Sequence, residues 1–395
     1  MSHLKKVSVL GATGSIGEST VNLLGQQTDD TLEFKTVALT ASTNVARLAE
    51  QAKHLNAEIA VIRDENLYSD LKSLLSGTSI EVAAGDGAIV EAAALDAEIV
   101  VSAITGAAAL SPTLAAVRQG ANIALANKES IVCAGRLLLD EARSHNSNIL
   151  PVDSEHNAIF QVLDNKRRVE KLVLTASGGP FRSASIEMMR NATPEQAVAH
   201  PNWSMGAKIS IDSATMTNKA LELIEACYLF DMSQDRVDVL VHPQSIIHSM
   251  VSYDDGSVLA QLGMPDMRTP ISYALAWPNR MPVPNVERLD LAKIGCLNFE
   301  AVDDARFPAI SLARKAIEIG AWATNVFNAT NEVAVDAFVN GRIGFLDISA
   351  LNKTILEGFL NGQFGNVEDP KCFEGVFDLD QRARVAAHNT LSATV

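Results

Sequence analysis

Short apolar runs alternate with helix-like stretches through the first 150 residues, and this alternation constrains the fold more than any other feature. Such a pattern predicts a parallel sheet whose strands are joined by helices on both faces. We therefore expect an α/β domain over residues 1–150. The seven predicted strands are Lys6–Leu10, Phe34–Thr40, Ile59–Ile62, Ile80–Ala83, Ile99–Ala103, Asn122–Ala126 and Asn148–Pro151.

A glycine-rich turn, Gly11–Gly17, joins the first predicted strand to a helical stretch that begins at Glu18. Glycines permit a tight turn and a close approach of the backbone to a pyrophosphate at the helix N-terminus. Because this turn follows a strand, opens a helix and heads an alternating domain, we predict a Rossmann-like dinucleotide-binding domain. The alternative is an ordinary strand–helix turn.

The residues after the second predicted strand discriminate between cofactors. No Asp or Glu stands there to bind the ribose 2′-hydroxyl of NAD. Ser42, Thr43 and Asn44 could instead hydrogen-bond a 2′-phosphate, and Arg47 is the only nearby cation. The sequence therefore favours NADP.

Two acids follow the last predicted strand, Asp153 and Glu155. If Val152–Asn157 is extended, alternation points both side chains the same way. Two hard oxygen donors favour Mg²⁺ or Mn²⁺ over zinc, whereas a solvated loop with a chance acidic pair is the alternative. Lys128 follows another strand, where open α/β sheets bind ligands, although it could also be a solvated helix start.

Three polar segments of the second half could complete a site. The Ser177-Gly178-Gly179 turn could bind an anion or be a simple turn, and His200–Gly206 could be a mobile lid or a packed surface loop. Lys219 and Glu222 are three apart on a predicted helix, and hence on one face. Lys219 could hold a phosphate while Glu222 joins Asp153 and Glu155 around a metal. A surface ion pair is the alternative, and Glu225 is a rival ligand.

The remaining chain divides by composition. We predict an α+β catalytic domain with a lid over residues 151–276, including a hairpin at Asp254-Asp255-Gly256. A Pro-rich linker is predicted at 277–307 and a C-terminal helical bundle at 308–395. The predicted bundle elements are Ile310–Ile319, Asn331–Phe338, Ile348–Phe359 capped by Asp347, and Leu379–Leu391.

Composition excludes several classes of protein. Hydrophobic residues make up 47% of the 395 residues and the net charge is −15, so we expect a globular protein without a nucleic-acid or membrane partner. The four cysteines form no CxxC pair, which predicts neither disulfides nor a zinc knuckle. With no signal or transit peptide evident, we expect a cytoplasmic location.

In combination, these motifs resemble the 1-deoxy-D-xylulose 5-phosphate reductoisomerase family over nearly the whole chain. The matching segments are Gly11–Gly17, Asn127–Glu129, Val152–Gln161, Ser177–Phe181, His200–Gly206, Ser213–Glu222, His242–Met250, Leu262–Pro270 and Asn328–Val335. The resemblance implies a homodimer that rearranges and reduces a ketose phosphate with NADPH and a divalent metal, giving 2-C-methyl-D-erythritol 4-phosphate.

The resemblance also implies roles at the matching positions. NADPH contacts are implied at Thr13, Gly14, Ser15, Ile16, Asn44, Asn127, Glu129 and Gly206. Metal ligation is implied at Asp153, Glu155 and Glu222. Substrate contacts are implied at Lys128, Ser154, Ser177, His200, Ser213, Asn218 and Lys219, with Trp203 and Met205 on the lid.

Two departures from the family pattern are visible. Ser42-Thr43-Asn44 replaces a common Gly-Lys-Asn, so a lysine partner for the 2′-phosphate is missing and preference for NADPH could be weaker. Ala220 replaces a common Gly, which a helix tolerates. A semialdehyde dehydrogenase with Cys133 as nucleophile and a metal-independent dinucleotide-sensing protein are the alternative functions.

Overall fold

The computed structural model describes residues 3–26, 32–203 and 205–394. These residues form two compact units. The first comprises Met1–Ser130, Leu138–Asn157 and Asp266–Arg288, and the second comprises Ile131–Leu137, Ala158–Pro265 and Leu289–Val395. The sequence predicts boundaries at residues 150, 276 and 307 between segments with different expected roles. These boundaries stay a prediction.

The first unit contains a seven-stranded parallel sheet of order β4-β3-β2-β1-β5-β6-β7. Val7, Val9 and Leu10 on β1 are fully buried, as expected for a strand covered on both faces. The prediction of seven parallel strands is confirmed, with differences only at strand ends. The strands are β1 (His3–Leu10), β2 (Leu32–Ala41), β3 (Ile59–Ile62), β4 (Glu81–Ala84), β5 (Ile99–Ser102), β6 (Asn122–Leu125) and β7 (Ile149–Pro151).

Strand β1 lies between β2 and β5, so the strand order reverses at its carboxyl end. In open α/β sheets this reversal opens the crevice where ligands bind. The glycine turn therefore stands at the expected ligand-binding position. The helices that follow the strands are α1 (Ser15–Gly25), α2 (Val45–His54), α3 (Tyr68–Leu74), α4 (Asp86–Ala93), α5 (Leu110–Arg118) and α6 (Glu129–Ser144).

Asp153 and Glu155 are not in a strand, and the prediction of an extended segment there is wrong. The strand ends at Pro151, and helix α7 (Ser154–Val162) begins three residues later. The Asp153 carbonyl accepts the first helical hydrogen bond, from Asn157 N at 2.9 Å, so Asp153 is the N-cap. Asp is a preferred N-cap residue, and this local preference overrides strand alternation.

The second unit contains a mixed five-stranded sheet of order β11-β10-β8-β9-β12. Strands β8 and β9 are parallel, whereas the other pairs are antiparallel. The predicted hairpin at Asp254-Asp255-Gly256 is confirmed, and Gly256 adopts φ +86° in its turn. The strands are β8 (Val169–Ala176), β9 (Val237–Val241), β10 (Ile247–Tyr253), β11 (Val258–Leu262) and β12 (Glu300–Ala301).

Four helices lie between β8 and the hairpin in the chain, and a fifth, short helix lies in the segment predicted as a linker. They are α8 (Ile186–Arg190), α9 (Pro194–Val198), α10 (Ala207–Ala214), α11 (Thr217–Leu229) and α13 (Leu291–Ile294). Helix α12 (Arg268–Ala276) belongs to the first unit. The segment predicted as a linker therefore carries regular structure, including α13 and the edge strand β12.

The C-terminal helical prediction is confirmed, with longer helices than expected. They are α14 (Ala309–Ile319), α15 (Ala321–Val339), α16 (Phe345–Leu360) and α17 (Phe373–Thr394). Asp347 is not the N-cap of α16; it is the third helical residue and accepts from Gly344 N at 2.8 Å. Gly344 occupies the N-cap position that the prediction gave to Asp347, and Asp347 caps the helix from its third position instead.

None of the helices that the structure describes is long and apolar enough to cross a membrane. All four cysteines are free thiols in the structure. Burial raises the pKa of the Cys227 thiol to about 12, in keeping with a cysteine that packs as a small apolar side chain.

Candidate active site

The glycine turn is built so that a helix can approach the backbone closely. Gly11 adopts φ +89°, which favours glycine. A Cβ on Gly17 would lie 2.3 Å from the Gly11 carbonyl oxygen. Gly14, the N-cap of α1, has no side chain to cap the helix, so the first-turn N–H groups of Ser15 and Ile16 can face an anion. The turn fits a dinucleotide pyrophosphate.

The end of β2 presents hydroxyl groups rather than a cation. Ser42 and Thr43 are exposed, while Asn44 caps α2 by accepting from Arg47 N at 3.2 Å. Hydrogen bonds that the Arg47 guanidinium donates to Glu18 and Glu50 hold its pKa above its usual value. Because two carboxylates already neutralise Arg47, hydroxyl groups dominate the region predicted to bind a 2′-phosphate.

Asn127 is a structural residue as well as a predicted cofactor contact. Its Nδ2 donates to the Gly106 carbonyl at 3.0 Å and to Glu129 Oε2 at 2.8 Å, and its Oδ1 accepts from the Ser130 N–H and hydroxyl. These bonds use both donors and both acceptor positions of the amide. Any contact that Asn127 makes with a cofactor would therefore come from its backbone.

Lys128 and Asp153 form a shielded ion pair in the first unit. Lys128 Nζ lies 2.5 Å from Asp153 Oδ2, and their side chains are 6% and 15% exposed. His156 Nδ1 lies 3.8 Å from the same oxygen, while the Ser154 hydroxyl donates to Glu155. The structure thus brings together a cation, two carboxylates and a hydroxyl at the start of α7.

Ser177 and His200 form a hydrogen-bonded pair in the second unit. His200 Nδ1 accepts from the N–H groups of Asn202 and Trp203, so Nε2 carries the proton and donates to Ser177 Oγ at 2.8 Å. Burial lowers the pKa of His200, which favours this neutral form. Because Ser177 Oγ also accepts from Gly179 N at 3.1 Å, the hydroxyl hydrogen can point to an anion.

The segment predicted as a lid is a loop that precedes α10. Its residue Trp203 is half-buried rather than exposed, with its ring 6.2 Å from the ring of His248. Asn202 Nδ2 donates to the Pro243 carbonyl at 2.7 Å. Met205 is half-buried and Gly206 caps α10, whereas Ser204 lies outside the described residues.

The ion pair on α11 is buried, so the alternative of a surface ion pair is wrong. Lys219 and Glu222 are 3% and 0% exposed and hydrogen-bond to each other. Asn218 Nδ2 donates to the other Glu222 oxygen at 2.5 Å. Met216 adopts φ +62° between α10 and α11, and this break places Ser213 and Asn218 on separate helices.

Sequence reasoning gave no role to His248, which the structure places beside the loop tryptophan. Burial lowers the pKa of His248 to about 4, and electrostatic interactions with His242 and Lys219 act in the same direction, whereas a hydrogen bond that His248 donates to the Gly263 backbone opposes the shift. The imidazole is therefore neutral near pH 7. Its only sequence signal was its place in the His242–Met250 motif.

We expect His248 to make folding stability fall in acid. The unfolded chain takes up a proton below pH 6.5 but the folded chain does so only near 4, so stability is complete above 6.5 and declines as pH falls towards 4. The cost is up to about 1.4 kcal/mol per pH unit. Urea unfolding at pH 7.5 and 5 should show a shallower pH dependence for His248→Gln than for the unsubstituted chain. Equal pH dependence of both would contradict this assignment.

The first unit has a parallel sheet with a glycine turn at its strand reversal, and the second unit has a mixed sheet with buried polar clusters. These features define a protein of the Rossmann class with a second, α+β unit. Family models narrow this class. One model, of 1-deoxy-D-xylulose 5-phosphate reductoisomerase, matches residues 7–135, and two models of the C-terminal domain of that protein match residues 149–230 and 262–386. The chain belongs to the 1-deoxy-D-xylulose 5-phosphate reductoisomerase family.

Individual relatives agree with this assignment. The 1-deoxy-D-xylulose 5-phosphate reductoisomerase of Rhodospirillum centenum is 56% identical over 93% of this chain and 90% of its own length. That of Zymomonas mobilis is 52% identical over 98% of both chains. A solved structure described as DOX-P reductoisomerase in complex with NADPH, fosmidomycin and magnesium has a TM-score of 0.92 and 41% identity, covering 98% of both chains.

The alternative of a semialdehyde dehydrogenase needs a reactive cysteine at a strand end. Cys133 is only 3% exposed and lies within helix α6. Asn328 Nδ2 lies 3.3 Å from its sulfur, inside the core. A cysteine nucleophile must be accessible to its substrate, so this position does not fit that chemistry.

Proposed function

We propose that this chain converts 1-deoxy-D-xylulose 5-phosphate to 2-C-methyl-D-erythritol 4-phosphate, using NADPH and a divalent metal, Mg²⁺ or Mn²⁺. The observation that carries the proposal is similarity over nearly the full length to proteins named 1-deoxy-D-xylulose 5-phosphate reductoisomerase, with 56% and 52% identity in two relatives. One homologous structure holds NADPH, fosmidomycin and magnesium. The reaction combines a carbon-skeleton rearrangement with a reduction.

Asp153, Glu155 and Glu222 are the proposed metal ligands, with Glu225 as a rival for the third position. Their carboxylates are the hard oxygen donors that Mg²⁺ and Mn²⁺ prefer. Hydrogen bonds from Asn218 and Lys219 orient the buried Glu222 carboxylate, as partners of metal ligands commonly do. When bound, a divalent ion polarises the substrate carbonyl and stabilises negative charge that develops on its oxygen.

Lys128 is proposed to stabilise charge or move a proton at the substrate oxygens. Its ion pair with Asp153 fixes Nζ beside the first ligand, and its side chain is nearly buried. A fixed cation in a site that excludes water acts without reorganising as charge develops. Ser154, whose hydroxyl is already fixed on Glu155, is proposed to contact the same end of the substrate.

The substrate phosphate is proposed to bind Ser177, Ser213, Asn218 and Lys219. The Ser177 hydroxyl accepts from both His200 and Gly179, which leaves its hydrogen for a phosphate oxygen. Lys219 supplies the positive charge that a chain of net charge −15 must place locally. Binding the unreactive phosphate orients the reacting end of the sugar.

The loop 200–206 is proposed to cover the reacting groups. Trp203 and Met205 supply apolar surface, and excluding water would let an aldehyde intermediate be reduced rather than lost. NADPH supplies the hydride when it is bound, and its proposed contacts lie at the glycine turn, Ser42, Thr43, Asn44, Asn127, Glu129 and Gly206.

The test is NADPH oxidation by the purified chain with 1-deoxy-D-xylulose 5-phosphate, with and without divalent metal. We expect turnover that EDTA abolishes and that added Mg²⁺ or Mn²⁺ restores. Turnover that EDTA does not affect would contradict the metal-dependent reaction. NADPH binding without turnover under any metal would instead favour a dinucleotide-sensing protein.

We also propose that the protein is a homodimer. A groove of about 510 Å³ over the five-stranded sheet is lined by Val173, Leu240, Met250, Val258 and other residues. Val258 and Leu259 on the edge strand are 54% and 43% exposed, which suits a second copy. Sedimentation velocity tests the oligomeric state: a particle of one 42.2 kDa chain at micromolar concentration would exclude the homodimer.

A cytoplasmic location is proposed because the cysteines are free thiols.

A further inference from the structure

Asp212 is a buried carboxylate for which the proposed chemistry has no use. It lies on α10 and is 1% exposed. Asn331 Nδ2, from α15, donates to its Oδ1 at 2.7 Å, and Lys208 Nζ lies 3.0 Å from its Oδ2. Asn352 Nδ2, from α16, donates to Asn331 Oδ1 at 3.2 Å. A polar chain thus runs from α10 through α15 to α16.

This polar chain crosses an apolar core. Ile211 and Ala214 of α10 pack in the same cluster as Val335 of α15 and Ile348 of α16, all of them at most 3% exposed. Burying a carboxylate and two amides there is costly compared with apolar side chains. A network of this kind is well suited to specify one orientation of packed elements, because a shifted helix would leave its polar groups unpaired.

Helix α10, which the polar chain of Asp212, Asn331 and Asn352 connects to α15 and α16, carries Ser213 of the proposed phosphate site. Ser213 immediately follows Asp212, and the loop 200–206 leads directly into α10. A Cβ on Gly179 would lie 2.8 Å from the Ser213 carbonyl oxygen. The turn that presents Ser177 therefore packs directly against the end of α10, and a small shift of α10 would change the spacing between Ser177 and Ser213.

We propose that Asp212 is a positioning residue: anchored to α15 by Asn331, it sets α10 in the orientation that places Ser213 and the loop 200–206 around the sugar phosphate. This inference rests on the proposed function. Asp212 itself is not among the proposed substrate contacts or metal ligands. Its effect on turnover is transmitted through the placement of α10.

The test compares two buried asparagines of the same helix. Asn331→Leu breaks the link to Asp212. Asn325→Leu removes an equally buried amide that donates to the Cys133 and Val376 carbonyls, neither of which lies on α10. We expect Asn331→Leu to raise KM for the sugar phosphate and to lower kcat. Together these changes should reduce kcat/KM by about tenfold to 100-fold. Asn325→Leu should lose thermal stability but keep both constants when assayed below its own Tm.

A charge swap supplies the rescue. In D212N/N331D the amide at 212 donates to the carboxylate at 331, which still accepts from Asn352, so every bond of the chain has a counterpart. We expect this double variant to recover most of the kcat/KM lost in D212N/N331L. Hydrogen exchange of residues 207–214 in the ligand-free protein gives a readout without turnover, and it should be faster in Asn331→Leu than in Asn325→Leu.

Three results would overturn the inference. They are equal kinetics for the two leucine variants, equal exchange of α10 in both, and a folded charge swap with no recovery. If Asn331→Leu does not fold, the charge swap and its D212N/N331L counterpart, judged against Asn325→Leu by exchange of α10, decide the matter. Absence of turnover in the unsubstituted chain would contradict the proposed function but not this inference, which the exchange comparison still tests.

Discussion

Replacing Glu155 with glutamine is expected to abolish turnover of the sugar phosphate and leave NADPH binding nearly intact. Glutamine keeps the size of the side chain and can still accept from the Ser154 hydroxyl. It loses the negative charge that a divalent ion needs from its ligands. Because the ion carries the electrostatic stabilisation of the reacting oxygens, we expect kcat to fall by about 10³-fold or more. NADPH oxidation measures turnover, and a fluorescence titration measures cofactor affinity.

Glu187→Gln is the matched control. Glu187 also stands in the first turn of a helix, α8, but it is exposed. It should leave kcat and NADPH affinity unchanged. If Glu155→Gln retained turnover, or lost NADPH binding while turnover persisted, Glu155 would not be a metal ligand. Partial recovery of activity in Glu155→Gln at high Mn²⁺ would agree with weakened ligation.

Replacing Gly17 with alanine is expected to destroy the dinucleotide turn. The added methyl would lie 2.3 Å from the Gly11 carbonyl oxygen and 2.4 Å from the Ala12 carbonyl carbon. Both are backbone atoms, so no side-chain rotation relieves the clash, and α1 must move away from the turn. We expect a loss of about 3 kcal/mol or more in stability. Any folded protein should have lost measurable NADPH affinity, as thermal unfolding and cofactor titration would reveal.

Gly87→Ala is the control for this substitution. Gly87 lies on α4 in the same unit, and a Cβ there would meet nothing within 4 Å. Alanine is the better helix former by up to about 1 kcal/mol, so this variant should be as stable as the unsubstituted chain or slightly more so. A Gly17→Ala protein that melts and binds NADPH like the Gly87→Ala protein would refute the close-approach argument.

The parallel sheet could be predicted from the sequence because each of its strands is a short buried apolar run bounded by turn residues. The glycine turn could also be predicted from the sequence. Its glycine spacing is required because α1 approaches the backbone at Gly11 too closely for a side chain at Gly17. Asp153 was wrongly predicted to lie in an extended segment. The spacing of Asp153 and Glu155, two residues apart, fits a strand, but it fits equally well an N-cap followed by an acid in the first helical turn. Only the hydrogen bond from Asn157 N distinguishes the two.

Other site features depend on contacts between segments far apart in the chain. The burial of Lys219 and Glu222 cannot be derived from their spacing, which is the same on an exposed helix. The saturation of Asn127 requires Gly106, and the environment of His248 requires the loop at Trp203. Asp212 offered no local sign at all, because its partner Asn331 lies 119 residues away.

The most direct test of the central claim is a crystal structure of the protein with Mn²⁺ and NADPH, with the ion located by anomalous scattering. We expect one strong peak at about 2.0–2.3 Å from carboxylate oxygens of Asp153, Glu155 and Glu222 together. Manganese bound elsewhere, or bound to Asp153 and Glu155 with Glu225 or no third carboxylate, would contradict the proposed ligand set.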